Sequence, residues 1–306
     1  MTLSKLQIEE IIDRALTEDL GRGDITTEVL IADGQQGSGF VVVKKEGILA
    51  GIIIVKQVFY RVDPQLKVEI LLEDGAKVEP GSKVAKVSGN IASILKVERV
   101  ALNFLQHLSG IASETSRYVA RVEGLPVRIM DTRKTIPGLR SLEKYAVKIG
   151  GGENHRMNLG DGILIKDNHL TALRNQGLDI KEIITKARQN APLSLPEFFS
   201  LSLRGTKRQS NLKARHFEVE VEVRTVSEAL EAVEAGADIV MLDNMNLEDI
   251  REAVKSIHGR VLIEASGGIT LDNVRAIAET GVDFISIGAI THSSRALDIS
   301  LELEAQ

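Results

Sequence analysis

From residue 127 to residue 289 the sequence keeps one rhythm, a short apolar run followed by a longer stretch with apolar residues at helical spacing. The apolar runs are VRIMDTR (127–133), GILIK (162–166), FEVEVEV (217–223), DIVMLDN (238–244), VLIEASG (261–267) and DFISIGA (283–289). Between them lie SLEKYAVKIG, LDIKEIITKARQNA, SEALEAVEAGA, LEDIREAVKSI and LDNVRAIAETG. Strands alternating with helices of this length form a parallel sheet covered by helices, because only a crossover helix returns the chain to start a parallel neighbour. The strand count of six falls short of the eight in a full barrel. Nearly every run ends in charged or glycine-rich residues, DTRK, IKDNH, EVEVR, LDN, EASGG and SIGAITH. Ligands of parallel α/β folds bind at the carboxyl ends of strands, so this pattern predicts a closed ring of strands around one site.

The first third of the chain reads differently. Leu6, Ile8, Ile11, Ile12, Ala15 and Leu16 predict a helix over 1–20, which LGRGD breaks before a new segment begins at Asp24. Residues 38–95 read as short strands separated by DG, PG and SG turns, a small strand-rich unit. From Ile94 to about Val122 the spacing of Leu95, Val97, Val100, Ala101, Phe104, Leu105, Leu108 and Ile111 predicts a long helix or helix pair. The chain has no Cys, which excludes thiolate catalysis, iron–sulfur clusters and Cys-ligated zinc. Its net charge of −5 speaks against a general binder of nucleic acid or anionic membrane. The first twenty residues carry charge in every turn, unlike a signal peptide, and no apolar run approaches the ~20 residues of a spanning helix. A cytoplasmic protein is expected.

The strand ends carry opposed chemistry. Arg133 and Lys134 follow the apolar run VRIMDT, Lys166 ends GILIK, and His155 and Arg156 follow the glycines 150–152. Singly, each could pair with Asp131, Glu153, Asp161 or Asp167. Together they predict a pocket for a small polyanion, since Arg forks match carboxylates bidentately. Lys144 and Lys148 fall on the following helix and are expected to face water. In FEVEVEV the period is two, so Val219, Val221 and Val223 should meet helices while Glu218, Glu220 and Glu222 point into the ring. Buried carboxylates require cations or hydrogen bonds. Glu222 and Asp243 would suit Mg²⁺ or the hydroxyls of a sugar, whereas Glu218 and Glu220 read as interior salt bridges. The last two strand ends are phosphate-like. Ser266, Gly267 and Gly268 precede a helix expected near Leu271, and Gly288 and Ala289 precede a turn with His292 just beyond.

The runs EDLGRGDITTE, DTRKTIPGLRSLEKYAVKIGGGENHRMNLGDGILIKDNH, IVMLDNM, EASGGI and GAITHS together resemble the quinolinate phosphoribosyltransferases, also called nicotinate-nucleotide pyrophosphorylases (carboxylating). The resemblance covers nearly the whole chain and implies an N-terminal α/β sandwich (1–111), an incomplete six-stranded α/β barrel (112–289), and a C-terminal stretch (290–306) returning to the first domain. It implies transfer of a phosphoribosyl group from 5-phosphoribosyl 1-pyrophosphate to quinolinate with Mg²⁺, giving nicotinate mononucleotide, pyrophosphate and CO₂. By motif, Arg133, Lys134, His155, Arg156 and Lys166 would bind the quinolinate carboxylates and pyrophosphate. Glu222 and Asp243 would hold ribose hydroxyls and metal, and Ser266, Gly267, Gly268, Gly288, Ala289 and His292 the 5′-phosphate. Catalysis would rest on Lys134, Lys166, Glu222 and Asp243. Arg99 resembles an arginine that reaches a neighbouring subunit's site, which implies a homodimer or a hexamer of dimers, with no nucleic-acid or membrane partner.

One stretch departs from the family. PEFFSLSLRGTKRQSNLKARH (196–216) is about twenty residues longer than expected and carries a local charge of +4, with five Lys/Arg against one acid. It reads as a solvated surface insertion, because loops lengthen at small thermodynamic cost; a basic patch for a partner is the alternative. A register slip in the strand beyond it would turn Glu222 away. Two rival functions are carried forward. One is a molybdenum-transport-associated relative of the same fold, against which the full central block speaks. The other is a barrel aldolase with Lys134 or Lys166 as Schiff base, which needs a desolvated lysine with a lowered pKa. A non-catalytic phosphate-binding protein would leave the paired cation and carboxylate sets without a purpose.

Overall fold

A computed structural model describes residues 5–191 and 218–304. The chain divides into two compact units: residues 1–117, 134–152 and 289–306 form one, and residues 118–133 and 153–288 the other. The basic stretch 196–216 lies outside the described residues.

The first unit is built on a four-stranded sheet. Strand β1 (Gln36–Val43) pairs antiparallel with β5 (Lys83–Asn90) and with the C-terminal β12 (Ile299–Leu303). Strand β3 (Lys67–Ile70) borders β5, and the two-residue strands β2 (Gly47–Ile48) and β4 (Lys77–Val78) form a separate pair. Helix α1 (Lys5–Leu20) buries Ile8, Ile12 and Leu16, one residue per turn along one stripe. The turn segment after it starts α2 (Ile25–Leu30), where Asp24 accepts from the Thr27 amide at 3.0 Å. Helix α3 (Ile52–Val62) follows β2. The helical spacing past Ile94 resolves into one helix, α4 (Ile91–Arg121), of 31 residues. Its apolar positions Ile94, Val97, Leu105, Leu108 and Ile111 are all fully buried. Gly110 is required there, because a Cβ would lie 2.2 Å from the Arg295 carbonyl oxygen. Helix α5 (Arg140–Ile149) also belongs to this unit.

Lys144, expected in water, is instead fully buried, as is Glu143 beside it. Helix α5 buries Leu142, Glu143, Lys144, Ala146 and Val147, more of its circumference than a surface helix would. Only Lys148, in its last turn, is exposed as anticipated.

The second unit holds the six short strands β6 (Arg128–Met130), β7 (Ile163–Ile165), β8 (Val219–Val223), β9 (Ile239–Asp243), β10 (Leu262–Ser266) and β11 (Phe284–Ser286). They form one parallel sheet in the order β6-β11-β10-β9-β8-β7. The expected ring is therefore open between the edge strands β6 and β7. Glu153 pairs with β6, bridging to Met130, donating its amide to the Ile129 carbonyl at 2.8 Å and accepting from the Asp131 amide at 3.1 Å. Each strand is shorter than its apolar run, because the polar residues at the carboxyl ends leave the ladder to line the site. The interior floor is apolar: Met130, Ile239, Leu262 and Phe284 pack together, and each full burial contributes about 1.5–3 kcal/mol. In register above that floor come Glu264 opposite Met241, then Ser266 opposite Asp243.

The outer helices start on side-chain caps. Thr225 accepts from the Glu228 amide before α8 (Val226–Glu234), and Asn246 from the Asp249 amide before α9 (Leu247–Ile257). Asp179 and Glu182 cap each other's amides at the start of α7 (Ile180–Asn190). Each such cap contributes about 1 kcal/mol and fixes where the strand end turns outward.

Candidate active site

Within the second unit the carboxyl ends of the strands bring cations and carboxylates close together, Lys166 against Glu222 and Arg156 near Glu220 and Asp161. Arg156 is buried with only 6% exposure, and its guanidinium donates to the Gly162 carbonyl at 3.1 Å. Burial and the nearby Arg133 guanidinium together push the Arg156 pKa down, against the pull of Glu220 and Asp161. Two guanidiniums close enough to repel are costly unless an anion joins them, so Arg133 and Arg156 mark a carboxylate- or phosphate-binding locus.

Segment 153–156 is held by Asp131, which is fully buried at the end of β6. Its carboxylate accepts from the Asn154 side chain at 2.6 Å and from the His155 amide at 2.8 Å. Asp131 thus serves as an organiser of this loop. The His155 Nδ1 accepts from the Arg156 amide at 2.9 Å, so the ring proton sits on Nε2. That Nε2 faces Glu220 Oε2 at 3.3 Å and Glu264 Oε2 at 3.7 Å.

His155, Glu220 and Glu264 place one donor atom each within 4.8 Å of one another, spacing that could suit a metal ion. The tautomer argues otherwise, because an Nε2 that carries a proton has no lone pair for a metal. The group reads as an imidazole N–H facing two buried carboxyls, and both Glu264 oxygens are enclosed without a hydrogen-bond partner among the described residues. Burial pushes both Glu220 and Glu264 up to about 8, and their mutual repulsion adds to the shift of Glu264. Glu220 accordingly belongs to a proton-holding pair, in addition to the salt-bridging surroundings expected of it. Glu218 is half-buried and lines a small cavity with His155 and Arg156.

Glu264 was not among the expected site residues. Its signal was present: it stands two positions before Ser266 in VLIEASG and therefore shares Ser266's face.

At the β7–β8 edge, Lys166 Nζ donates to Glu222 Oε2 at 3.1 Å, with the lysine about half exposed and the carboxylate nearly buried. Lys166 also occupies the N-cap of α6 (Asp167–Arg174), where its amide donates to His169 Nδ1 at 2.9 Å. The register of β8 directs Glu222 and Glu220 inward and leaves Val219, Val221 and Val223 fully buried, the alternation that the sequence implied. Asp243 ends β9, where the Asn244 side chain donates to it at 3.0 Å and Arg224 Nε stands 3.8 Å away. Arg224 pairs more closely with Asp167, at 2.7 Å.

Ser266, Gly267 and Gly268 follow β10. Both glycines have positive φ, +84° and +63°, and a Cβ on Gly267 would lie 2.5 Å from the Asn244 side chain. The Asn244 amide donates to the Ser266 carbonyl at 2.8 Å, and Ser286 Oγ donates to Ser266 Oγ at 3.0 Å. The helix expected near Leu271, α10, begins only at Val274 and runs to Ala278. Asn273 replaces the missing turn, donating to the Gly268 carbonyl and accepting from the Thr270 amide. The anion-binding capacity of this loop therefore rests on its backbone amides and Ser266. Gly288 closes the set after β11.

Four other expected residues belong to the first unit. Arg99 is exposed on α4, Lys134 is exposed after Arg133, Ala289 starts the short helix α11 (Ala289–His292), and His292 ends it, exposed, with Nδ1 2.6 Å from Ser293 Oγ. The Lys134 carbonyl accepts from Thr291 Oγ1 at 2.8 Å.

Comparison with known proteins matches both units of the chain. The family model described as quinolinate phosphoribosyl transferase, N-terminal domain, matches residues 24–109, and that of the C-terminal domain matches 111–198 and 202–302. The break between the last two ranges falls inside the stretch 196–216. A quinolinate phosphoribosyltransferase [decarboxylating] of Nicotiana glauca, named as mitochondrial, is 40% identical over 98% of this chain and 83% of its own length. A probable nicotinate-nucleotide pyrophosphorylase [carboxylating] of Bacillus subtilis is 38% identical over 98% of this chain and 95% of its own. Among solved structures, NadC from Streptococcus pyogenes superposes with a TM-score of 0.87 at 38% identity, covering 99% of each chain. Among the described residues, no helix is long and apolar enough to cross a membrane.

Proposed function

The chain belongs to the quinolinate phosphoribosyltransferase family, and we propose that it transfers the phosphoribosyl group of 5-phosphoribosyl 1-pyrophosphate to the ring nitrogen of quinolinate. Loss of the adjacent carboxylate as CO₂ then leaves nicotinate mononucleotide. The observation that carries the assignment of this site is a buried Arg156 repelled by Arg133 among strand ends that also present the Lys166–Glu222 pair and Asp243.

Arg133 and Arg156 bind the two quinolinate carboxylates and so orient the ring nitrogen. Lys166 sits at the junction, close enough to serve a carboxylate while paired to Glu222. The bond from ribose C1 to the pyrophosphate oxygen breaks with oxocarbenium character as the nitrogen–C1 bond forms. Glu222 and Asp243 face the cationic sugar carbon, and Lys134 and Lys166 neutralise the leaving pyrophosphate. The resulting pyridinium accepts the electron pair from the departing carboxylate, a proton replaces CO₂ on the ring, and no organic cofactor is required. Ser266, Gly267, Gly268, Gly288, Ala289 and His292 serve the 5′-phosphate.

Glu222 and Asp243 would hold Mg²⁺. Their hard carboxylate oxygens on adjacent parallel strands suit an ion that takes one or two carboxylates plus substrate phosphates. The ion would supply charge neutralisation at the pyrophosphate. His155 has Nδ1 occupied by the Arg156 amide and Nε2 directed at the acid pair, so its contribution to quinolinate binding runs through the placement of Arg156. Arg99, exposed on α4, is proposed to complete the site of a neighbouring subunit in a dimer or hexamer of dimers.

Purified protein given quinolinate, 5-phosphoribosyl 1-pyrophosphate and Mg²⁺ should release CO₂ and nicotinate mononucleotide in equal amounts. No product, or a lysine trapped by borohydride with a carbonyl substrate, would overturn the proposal.

A further inference from the structure

Lys134 is exposed, as are Ile136, Pro137 and Gly138 just after it. Residues Ile136, Pro137, Gly138 and Leu139 border a cavity of about 420 Å³, which His107 and Phe104 also line. Ile136 is 42% exposed. A loop that borders open space on one side has room to move, and hydrogen bonds to buried groups restrain it.

Those bonds converge on the peptide units flanking Thr135. On one side, the Lys134 carbonyl accepts from Thr291 Oγ1 at 2.8 Å, with Thr291 itself buried. On the other, the Ile136 amide donates to Glu143 Oε2 at 3.1 Å. Glu143 lies on α5 with no exposed surface, and its second oxygen, Oε1, stands 2.8 Å from His107 Nε2 on α4. A third bond runs from Arg140 Nε to Thr135 Oγ1 at 2.9 Å. A fully buried carboxylate is retained only where it is hydrogen-bonded, and here one of its partners is the loop itself.

We propose that Glu143, held by His107, is a positioning residue: it tethers the Ile136 amide and, with Thr291, fixes the direction in which Lys134 leaves the backbone. This inference rests on the proposed role of Lys134 at the leaving pyrophosphate. It accounts for a buried acid and its half-buried histidine partner, which take no part in the chemistry described above. Misplacement of a catalytic group by about 1 Å can cost about a hundredfold in rate, so a lost tether should act on turnover more than on binding of the other substrate.

The test compares Glu143→Leu, Glu143→Gln and Thr291→Val by steady-state kinetics, by quinolinate affinity from calorimetry, and by amide hydrogen exchange over 134–140. Glu143→Leu should lower kcat by about a hundredfold, leave quinolinate affinity within about threefold, and speed exchange in the loop. Glu143→Gln should recover most of the rate. Its amide oxygen can accept from Ile136, and its NH₂ can donate to the other tautomer of His107. Should Glu143→Leu fail to fold, Thr291→Val removes only the hydroxyl at the Lys134 carbonyl and should itself lower kcat about tenfold. Wild-type kcat in both folded variants, or unchanged loop exchange in Glu143→Leu, refutes the inference. Lys134→Ala separates the two levels. If it keeps full kcat, the assigned role of Lys134 falls and the inference with it. If it is inactive while Glu143→Leu turns over normally, only the inference falls.

Discussion

Replacing Glu264 by Gln should flatten the dependence of stability on pH. Glu264 has no exposed surface, and burial raises its carboxyl from 4.5 to about 8, with Glu220 adding to the shift. In the unfolded chain the same group ionises near 4.5, so between the two values the folded state holds a proton that the unfolded state has released. Stability therefore falls as pH rises through this window, and is greatest below about 4.5 as far as this group is concerned. At about pH 7.5 the group is still protonated in the folded protein, three pH units above its unfolded value. At about 1.4 kcal/mol per unit, its contribution is then lower by roughly 4 kcal/mol than at pH 4.5. Gln cannot ionise, so the variant should lose this part of the slope.

Any fixed cost of the Gln amide shifts the whole curve without tilting it. Titrating groups other than the neighbouring Glu220 are common to both proteins and cancel in the difference. The assay is urea unfolding by circular dichroism at half-unit steps from about pH 5.5 to 8.5, plotted as the difference between variant and parent. The difference should grow in favour of Glu264→Gln by several kcal/mol across the range. Parallel curves, or a difference that shrinks with rising pH, would refute the assignment of a proton-holding pair to the barrel interior.

Further outcomes follow from the same geometry. Arg156→Ala, or Arg133→Ala, should weaken quinolinate binding by about a hundredfold in calorimetry, as expected when one arm of a charge-assisted pair is lost, while circular dichroism stays unchanged. Gly267→Ala should raise the KM for 5-phosphoribosyl 1-pyrophosphate and destabilise by about 1–3 kcal/mol, because the residue needs a positive φ and its Cβ would strike Asn244; thermal melting and kinetics check both. Mixing Arg99→Ala with Arg133→Ala, each impaired alone at low quinolinate, should restore part of the turnover if Arg99 serves a neighbouring subunit. Zero recovery in mixed oligomers assigns Arg99 elsewhere. Excising 196–216 should leave turnover intact, measured as CO₂ release; a folded but inactive deletion protein would give that stretch a role.

The sequence by itself determined the strand–helix alternation, the six parallel strands and the side of the sheet that carries polar groups. These are one-dimensional properties: the period of an apolar run and the residues that end it survive any packing. It also determined the face of Glu222, since FEVEVEV allows only one register with its valines buried. The family block from Asp131 to His169 carried the activity, because its cations are adjacent along the chain as well as in space.

Tertiary structure decided what depended on distant neighbours. Lys144 looked like a solvated helix residue, and only the packing around α5 shows that Glu143 and Lys144 are both enclosed. Glu264 stood in plain view in VLIEASG, yet its partnership with Glu220 and His155 joins residues far apart in the sequence. The helix after Gly268 begins three residues late because the Asn273 side chain satisfies Gly268 and Thr270 first, a competition between side-chain and backbone bonds that periodicity cannot register. The tether of the Lys134 loop joins α4, α5 and α11 to one short segment. Hydrogen bonds and shifted proton affinities are set by which groups become neighbours when water is excluded, and folding alone makes them neighbours.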